Sequence, residues 1–246
     1  MRASITVSVA NLCDTPNGRR ERQLMLGEIV EVGASRDGWA QVAAAKDGYG
    51  GWVQDTVLGP PFDATHRVSV LASHLYPRPD MKSGNETWVS FGSRMRVVSA
   101  DGNFFETHDG RYIPKPHLRP LNAPFADPVT VAQMFFGVPY LWGGNSAMGI
   151  DCSGLVQAAL VAAGIDCPGD SGPQENALGT PLALGSKPQR GDLLFWKGHV
   201  AIAVDHDTLI HANAHHMAVA YERIPDAIQR IESQGDGPVT AHKRLI

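Results

Sequence analysis

The chain has 246 residues, room for one large domain or two to three small ones, and its apolar and charged fractions of 43% and 19% exclude global disorder. A formal net charge of -4, with acidic residues scattered rather than run together, gives neither the basic footprint of a nucleic-acid or membrane-surface binder nor an acidic tail. Residues 1–10 alternate apolar and small polar side chains without the continuous apolar stretch of a secretory leader, and no apolar run approaches membrane-span length.

Three cysteines, Cys13, Cys152 and Cys167, cannot all pair within one chain and are few for a disulfide scaffold. A cytoplasmic, reducing setting is therefore expected, with no membrane and no nucleic acid among the partners, and a monomer.

The first half is built of short alternating segments broken by Asp-Gly, Gly-Trp and Pro, the pattern of short strands and tight turns. It also repeats itself. Gly27-Glu28-Ile29-Val30-Glu31-Val32 is echoed by Gly92-Ser93-Arg94-Met95-Arg96-Val97, and Asp37-Gly38-Trp39 by Asp101-Gly102-Asn103-Phe104. Asp47-Gly48-Tyr49, with Trp52 and Leu58 behind it, is echoed by Asp109-Gly110-Arg111-Tyr112 and Leu118. Two copies of one short unit imply two small β-barrels in tandem. The order of turns and aromatic strands resembles bacterial SH3-like domains. The Pro-rich linkers Gly59-Pro60-Pro61 and Pro120-Leu121-Asn122-Ala123-Pro124 then divide the chain into 1–60, 61–122 and 123–246.

Beyond Pro124 the composition changes. Residues 153–163 are rich in Ala and Leu, with Leu155, Val156, Ala159, Leu160 and Ala163 at helical spacing and Gly164 placed to end the helix. Gly191-Asp192-Leu193-Leu194-Phe195-Trp196, His199-Val200-Ala201-Ile202-Ala203-Val204 and Leu209-Ile210-His211-Ala212 read as strands, with Asp205-His206-Asp207 the turn between the last two. A helix followed by strands is an α+β arrangement.

Chemistry concentrates at Asp151-Cys152-Ser153-Gly154-Leu155. Cys152 falls where the helix begins, so unpaired backbone N–H groups and the helix dipole are aimed at its sulfur, a setting expected to favour the thiolate. The alternative is a buried, inert cysteine, and Cys13 and Cys167 are read as that. A nucleophile needs a base, and among ten histidines His199 is singled out by His211. A three-residue turn between their strands makes the two diagonal neighbours on one face, roughly 7 Å apart at Cβ. A two-residue turn puts them on opposite faces. On the first register Cys152 is the nucleophile, His199 the general base and then acid, and His211 the group that orients His199. A competing reading takes His211, His215 and His216, with His199, as metal ligands. No Cys or carboxylate pattern completes that set, and no metal or other cofactor is expected.

Tyr140-Leu141-Trp142-Gly143-Gly144, Asp151-Cys152-Ser153-Gly154-Leu155, Gly191-Asp192-Leu193-Leu194-Phe195-Trp196, Gly198-His199-Val200-Ala201-Ile202 and Ile210-His211-Ala212 follow one another in an order that resembles the NlpC-type cell-wall cysteine peptidases. The preceding barrels resemble those of the γ-D-glutamyl-L-diamino acid endopeptidase subfamily. The resemblance implies a papain-like α+β core and hydrolysis of the bond after D-γ-glutamate in murein stem peptides, before diaminopimelate or lysine. It further implies that Asp151 and Ser153 recognise a free N-terminal L-Ala, although Asp151 also suits a helix N-cap. Tyr140 is implied to bond substrate or a developing oxyanion, or else simply packs in the core. Asp170-Ser171-Gly172-Pro173-Gln174 corresponds to a segment lining the diamino-acid side, with Gly169 where many relatives carry Arg. Tyr49 corresponds to a barrel Tyr that closes over the cleft, and Glu21 is a weaker candidate for the amine site; a plain barrel-surface role is open for both.

The expected function is an endopeptidase that trims released murein peptides during recycling. The alternatives are a papain-like amidase or acyltransferase, and a non-catalytic wall-binding module.

Overall fold

The alternating segments of the first half do become strands. In the computed structural model, which describes residues 1–245, residues 1–59 form a seven-stranded antiparallel sheet. Its strand order is Arg20–Met25, Val9–Cys13, Gly50–Gln54, Trp39–Ala44, Ile29–Arg36, Arg2–Ile5 and Leu58–Gly59. The two-residue period decides what goes inside: Ala40, Val42 and Ala44 are buried on one face of their strand, and Ile5, Leu12, Leu24, Val30 and Val53 join them in one apolar cluster. Each fully buried Leu, Ile or Val contributes about 1.5–3 kcal/mol relative to exposure.

The second copy is built from shorter pieces. Ala72–Leu75 pairs with Thr87–Ser90; Arg94–Met95, His66–Val68 and Leu118–Pro120 form a second sheet; Val97–Asp101, Phe104–Thr107 and Tyr112–Pro114 a third. Its core of Val68, Leu75, Val89, Met95, Ile113 and Leu118 also takes in Leu26 from the first copy. The internal repeat is visible in the backbone. Gly27 and Gly92 open equivalent turns at φ 76° and 82°, where an L side chain is strained. Single 3-10 turns, Asp55–Val57 and Lys115–His117, lead into the last strand of each copy.

Contacts group the chain into two units, Met1–Pro124 with Asn145–Ala147, and Phe125–Gly144 with the residues from Met148 onward. The short segment falls with the first unit because Asn145 donates its N–H to Gln23 Oε1 (3.2 Å) and Ala147 its N–H to Ser90 Oγ (2.9 Å).

The second unit is a six-stranded antiparallel sheet in the order Thr180–Leu182, Ala241–Arg244, Leu193–Trp196, His199–Ala203, Thr208–Asn213 and Ala218–Arg223. Four helices accompany it: α1 (Pro128–Met134), α2 (Cys152–Ala162), α3 (Ser171–Ala177) and α4 (Ile224–Ser233). Helix α2 is apolar almost all round and packs against the His199–Ala203 and Thr208–Asn213 strands. It ends as the sequence suggests, with Gly164 at φ 81° and bonds from Gly164 N to Val161 O and Ile165 N to Leu160 O, a Schellman motif. Helix α4 buries Ile224, Ala227 and Ile231 against Ala201, Ala203 and Leu209. Helices α1 and α4 and the strands Ala218–Arg223 and Ala241–Arg244 are additions to the sequence reading. None of the described helices is long and apolar enough to cross a membrane.

Candidate active site

Helix α2 begins at Cys152 because Asp151 caps it: Asp151 Oδ1 accepts from Gly154 N (2.6 Å) and from Ser153 Oγ (3.1 Å). Asp151 Oδ2 accepts from Gly143 N at 3.0 Å, tying the Gly-rich loop to the same helix end. The N-cap use foreseen for Asp151 is thus present.

Cys152 is buried, and its Sγ lies 3.9 Å from the Gly198 carbonyl oxygen. Gly198 belongs to the two-residue turn between the Leu193–Trp196 and His199–Ala203 strands and sits at φ 76°.

The thiolate expected at this helix end is not the favoured resting form. The backbone N–H groups of Val200, Ser153 and Cys152 do favour the anion, but burial and the neighbouring Asp151 carboxylate outweigh them and push the thiol up to about 12. Burial, with the charges of His211 and Arg230 adding, pushes His199 down to about 3. At neutral pH the resting pair is thiol and neutral imidazole. The helix dipole does act on the sulfur, but the cost of burying a charge there exceeds it.

The Ile202↔Ile210 and Ala203↔Leu209 register, with Val204 N bonded to Thr208 O (2.7 Å), leaves Asp205-His206-Asp207 as a three-residue turn. His199 and His211 are then diagonal neighbours on one face, with ring centroids 5.1 Å apart and His199 Nε2 2.9 Å from His211 Nδ1. His211 is fully buried. Its Nε2 lies 3.1 Å from Glu222 Oε2, and Arg230 grips the same carboxylate through Nε to Oε1 (2.8 Å) and Nη2 to Oε2 (2.7 Å).

Burial opposes ionisation of Glu222, but the bonds from Arg230 and His211 prevail and hold its carboxyl well below the usual carboxylate range. Glu222 and Arg230 are absent from the sequence reading. The available signal was faint: the alternation in Ala218–Arg223 places a carboxylate two residues beyond Ala220, the partner of His211, among 25 acidic residues.

Tyr140 is held by its N–H to Met217 O (2.9 Å) and bridges to Ile150, two residues before Cys152. Burial, with Cys152 and Asp151 nearby, pushes its phenol up, so the hydroxyl keeps its proton as a donor. Together with His199, Lys197, Asn213, His215 and Arg230 it lines a cleft of about 180 Å³. Asp170 is the exposed N-cap residue of α3, its side chain making no cap bond, and Ser171 is the buried first residue. That segment is pinned to the nucleophile's helix by Gln174, whose Nε2 donates to Ser153 O and to Pro168 O, both at 2.9 Å.

Tyr49 lies in the first barrel, packed on its core with the Arg22 guanidinium 5.3 Å from the ring centre. Glu21, on the Arg20–Met25 strand, pairs with exposed Arg19 at 2.8 Å.

For a metal, the nearest set is His211, His216 and Glu222, whose ligand atoms lie within 4.8 Å of one another. The donor chemistry does not suit a cation. Both Glu222 oxygens already accept from the Arg230 guanidinium, and His216 Nδ1 is bonded to Asn213 Oδ1 (3.0 Å). Cys13 and Cys167 are buried thiols, the latter directed at the Pro168 carbonyl (3.5 Å).

Residues 137–231 match the NlpC/P60 family, and residues 12–58 match the bacterial dipeptidyl-peptidase SH3 domain. A γ-D-glutamyl-L-lysine dipeptidyl-peptidase of Bacillus cereus is 29% identical, over 80% of this chain and 68% of its own length. That of Bacillus subtilis is also 29% identical, over 78% and 72%. The crystal structure of an NlpC/P60 family protein from Bacillus cereus superposes with a TM-score of 0.82 at 23% identity, covering 100% of this chain and 99% of the other, and so shares its fold.

Proposed function

With residues 137–231 an NlpC/P60 domain and the chain a cysteine peptidase related to peptidoglycan, we propose that it hydrolyses the γ-D-glutamyl–L-diamino acid bond of murein stem peptides that carry a free N-terminal L-Ala. The observation that carries this reading is the His199–His211 pair bonded at 2.9 Å, with the buried thiol at the start of α2 lying 3.9 Å from the carbonyl oxygen of Gly198, the residue before His199. It is the arrangement required to take a proton from sulfur and return it to an amine.

His199 Nε2 is engaged by His211, so Nδ1 is the nitrogen that remains for the thiol proton. Sγ attacks the γ-carbonyl carbon of D-Glu as that proton moves to His199. The C–N bond then breaks, and the proton passes to the α-amine of the departing diamino acid. Water, deprotonated by His199, hydrolyses the thioester, releasing L-Ala-γ-D-Glu and restoring the thiol. The Tyr140 hydroxyl donates to the developing oxyanion. Asp151, with Ser153, receives the substrate ammonium. Asp170 and Ser171 line the diamino-acid side.

Three buried free thiols suit a reducing compartment, which supports a cytoplasmic role in recycling released peptides. Mass spectrometry of L-Ala-γ-D-Glu-diaminopimelate incubated with wild type and with Cys152→Ala tests the assignment. Release of L-Ala-D-Glu by wild type alone is the expected result. An untouched tripeptide alongside cleavage of an N-blocked or glycan-linked peptide would point to amidase or wall-lytic chemistry instead.

A further inference from the structure

The proton inventory of the buried chain behind His199 has one consistent solution. Glu222, gripped through both oxygens by Arg230, is a carboxylate and only accepts. The His211 nitrogen facing it at 3.1 Å must therefore carry a hydrogen. A neutral imidazole has one N–H and one lone pair, so His211 Nδ1 is bare. The His199 nitrogen 2.9 Å away, Nε2, must then carry its own hydrogen, which leaves Nδ1 of His199 as the unprotonated base. Were Glu222 to offer a donor instead, every proton along the row would reverse. His199 would then present an N–H to a thiol that also bears a proton, and no transfer would be possible.

We propose that Glu222, clamped by Arg230, is a positioning residue that selects through His211 the His199 tautomer able to accept the Cys152 proton. The inference rests on the peptidase reading of Cys152 and His199, and it adds two residues that act on His199 through His211. It also assigns α4 a function, since Arg230 reaches the site from that helix. Nothing is oxidised or reduced, and in the resting enzyme no proton leaves the row: its net charge is fixed while its direction is chosen.

Glu222→Gln tests this. Gln has one acceptor oxygen, which Arg230 takes, so the amide NH₂ turns to His211 Nε2 and forces it to accept. The ¹⁵N NMR spectrum of the resting enzyme, with ring nitrogens assigned, should show a bare His199 Nδ1 in wild type and a bare Nε2 in E222Q. On the tripeptide, kcat should fall by about 100-fold or more with KM little changed.

Arg230→Met gives a second, graded readout. The titratable or charged groups facing Glu222 are His211 from the adjoining strand, His216 from the following loop and Arg230 from α4, with Asp236 acting on Arg230. Without the guanidinium, Glu222 becomes easier to protonate, so the R230M deficit should deepen between pH 7 and pH 5, whereas that of E222Q should stay constant. If E222Q does not fold, R230M at low pH must show the reversed tautomer.

A wild-type spectrum with hydrogen on His199 Nδ1, or an E222Q enzyme with unchanged tautomers and kcat within about threefold of wild type, overturns the proposal. The tautomers are read without substrate. A wild type that ignores the tripeptide yet shows the stated reversal in E222Q would therefore refute the substrate assignment and leave this inference standing.

Discussion

The second unit contains a carboxylate–imidazole–guanidinium trio twice. At one end of the sheet His211 Nε2 faces Glu222 Oε2 at 3.1 Å and Arg230 forks onto the carboxylate at 2.8 and 2.7 Å. Elsewhere His242 Nε2 faces Asp192 Oδ2 at 2.9 Å and Arg244 forks onto it at 2.9 and 2.7 Å. Asp192 and His242 are buried, and the trio ties the Leu193–Trp196 strand to the C-terminal strand Ala241–Arg244. The two differ at the far side of the imidazole. His211 hands its second nitrogen to His199, whereas His242 makes no such onward bond among the described residues. An acid–imidazole–guanidinium cluster is thus no signature of catalysis. What gives one copy a chemical role is the group at its open end.

Mutating matched positions should separate the two trios. The largest effect is expected from His211→Ala, which leaves His199 without its orienting partner and should lower kcat by roughly 10³-fold while the protein still folds. His242→Ala should leave kcat of the folded enzyme within a few-fold, and if it abolishes turnover the division between the trios is wrong.

Next comes Asp192→Ala, which strands His242 and Arg244. Denaturant unfolding should show a loss of about 3 kcal/mol, the cost of breaking a buried pair. Asp192 also carries a pH signature. Burial opposes its ionisation, but bonds from Arg244, the Gln189 N–H and His242 lower its folded pKa below the usual value. Its stabilisation is therefore complete above the unfolded carboxyl pKa of about 3.9 and is lost as pH falls through the lower folded value. The stability gap between wild type and Asp192→Asn should accordingly be full at pH 7 and close in acid.

A smaller effect probes the resting thiol. With Cys152 raised to about 12 and His199 lowered to about 3, alkylation by iodoacetamide should accelerate steadily from pH 6 to pH 9. A rate already level below pH 6 would mean a preformed ion pair. The mildest change is Gly198→Ala, for which nothing crowds the added methyl. The positive φ alone should cost about 1 kcal/mol in thermal unfolding.

How much of this was legible beforehand depended on the range of the interaction. The α2 helix, its Gly164 stop and the strands around His199 and His211 are written in local periodicity and turn chemistry, and they formed within a residue or two of where the pattern puts them. The barrel repeat was readable because turn glycines must recur wherever the backbone turns the same way. The charge state of Cys152 was not, because burial depends on what the rest of the chain piles around the sulfur, and no local motif reports it. Glu222 and Arg230 escaped for a related reason. Each is an ordinary residue on an ordinary amphipathic element until the strand order places it behind His211. Gln174 lies between these cases: its segment was recognised, but its bonds to Ser153 and Pro168 carbonyls show it acting on the scaffold rather than facing outward.

The turn Asp205-His206-Asp207 has a consequence for how such a gene can drift. Its middle residue is exposed, so exchanging one letter there for another is nearly free. Its count is another matter. Dropping one codon would slide the Thr208–Asn213 strand by a single step, turn the His211 ring to the opposite face and disconnect the row of protons while deleting nothing chemically active. Descendants of this chain are free to rewrite the spelling of that turn, but its length is heritable information in its own right.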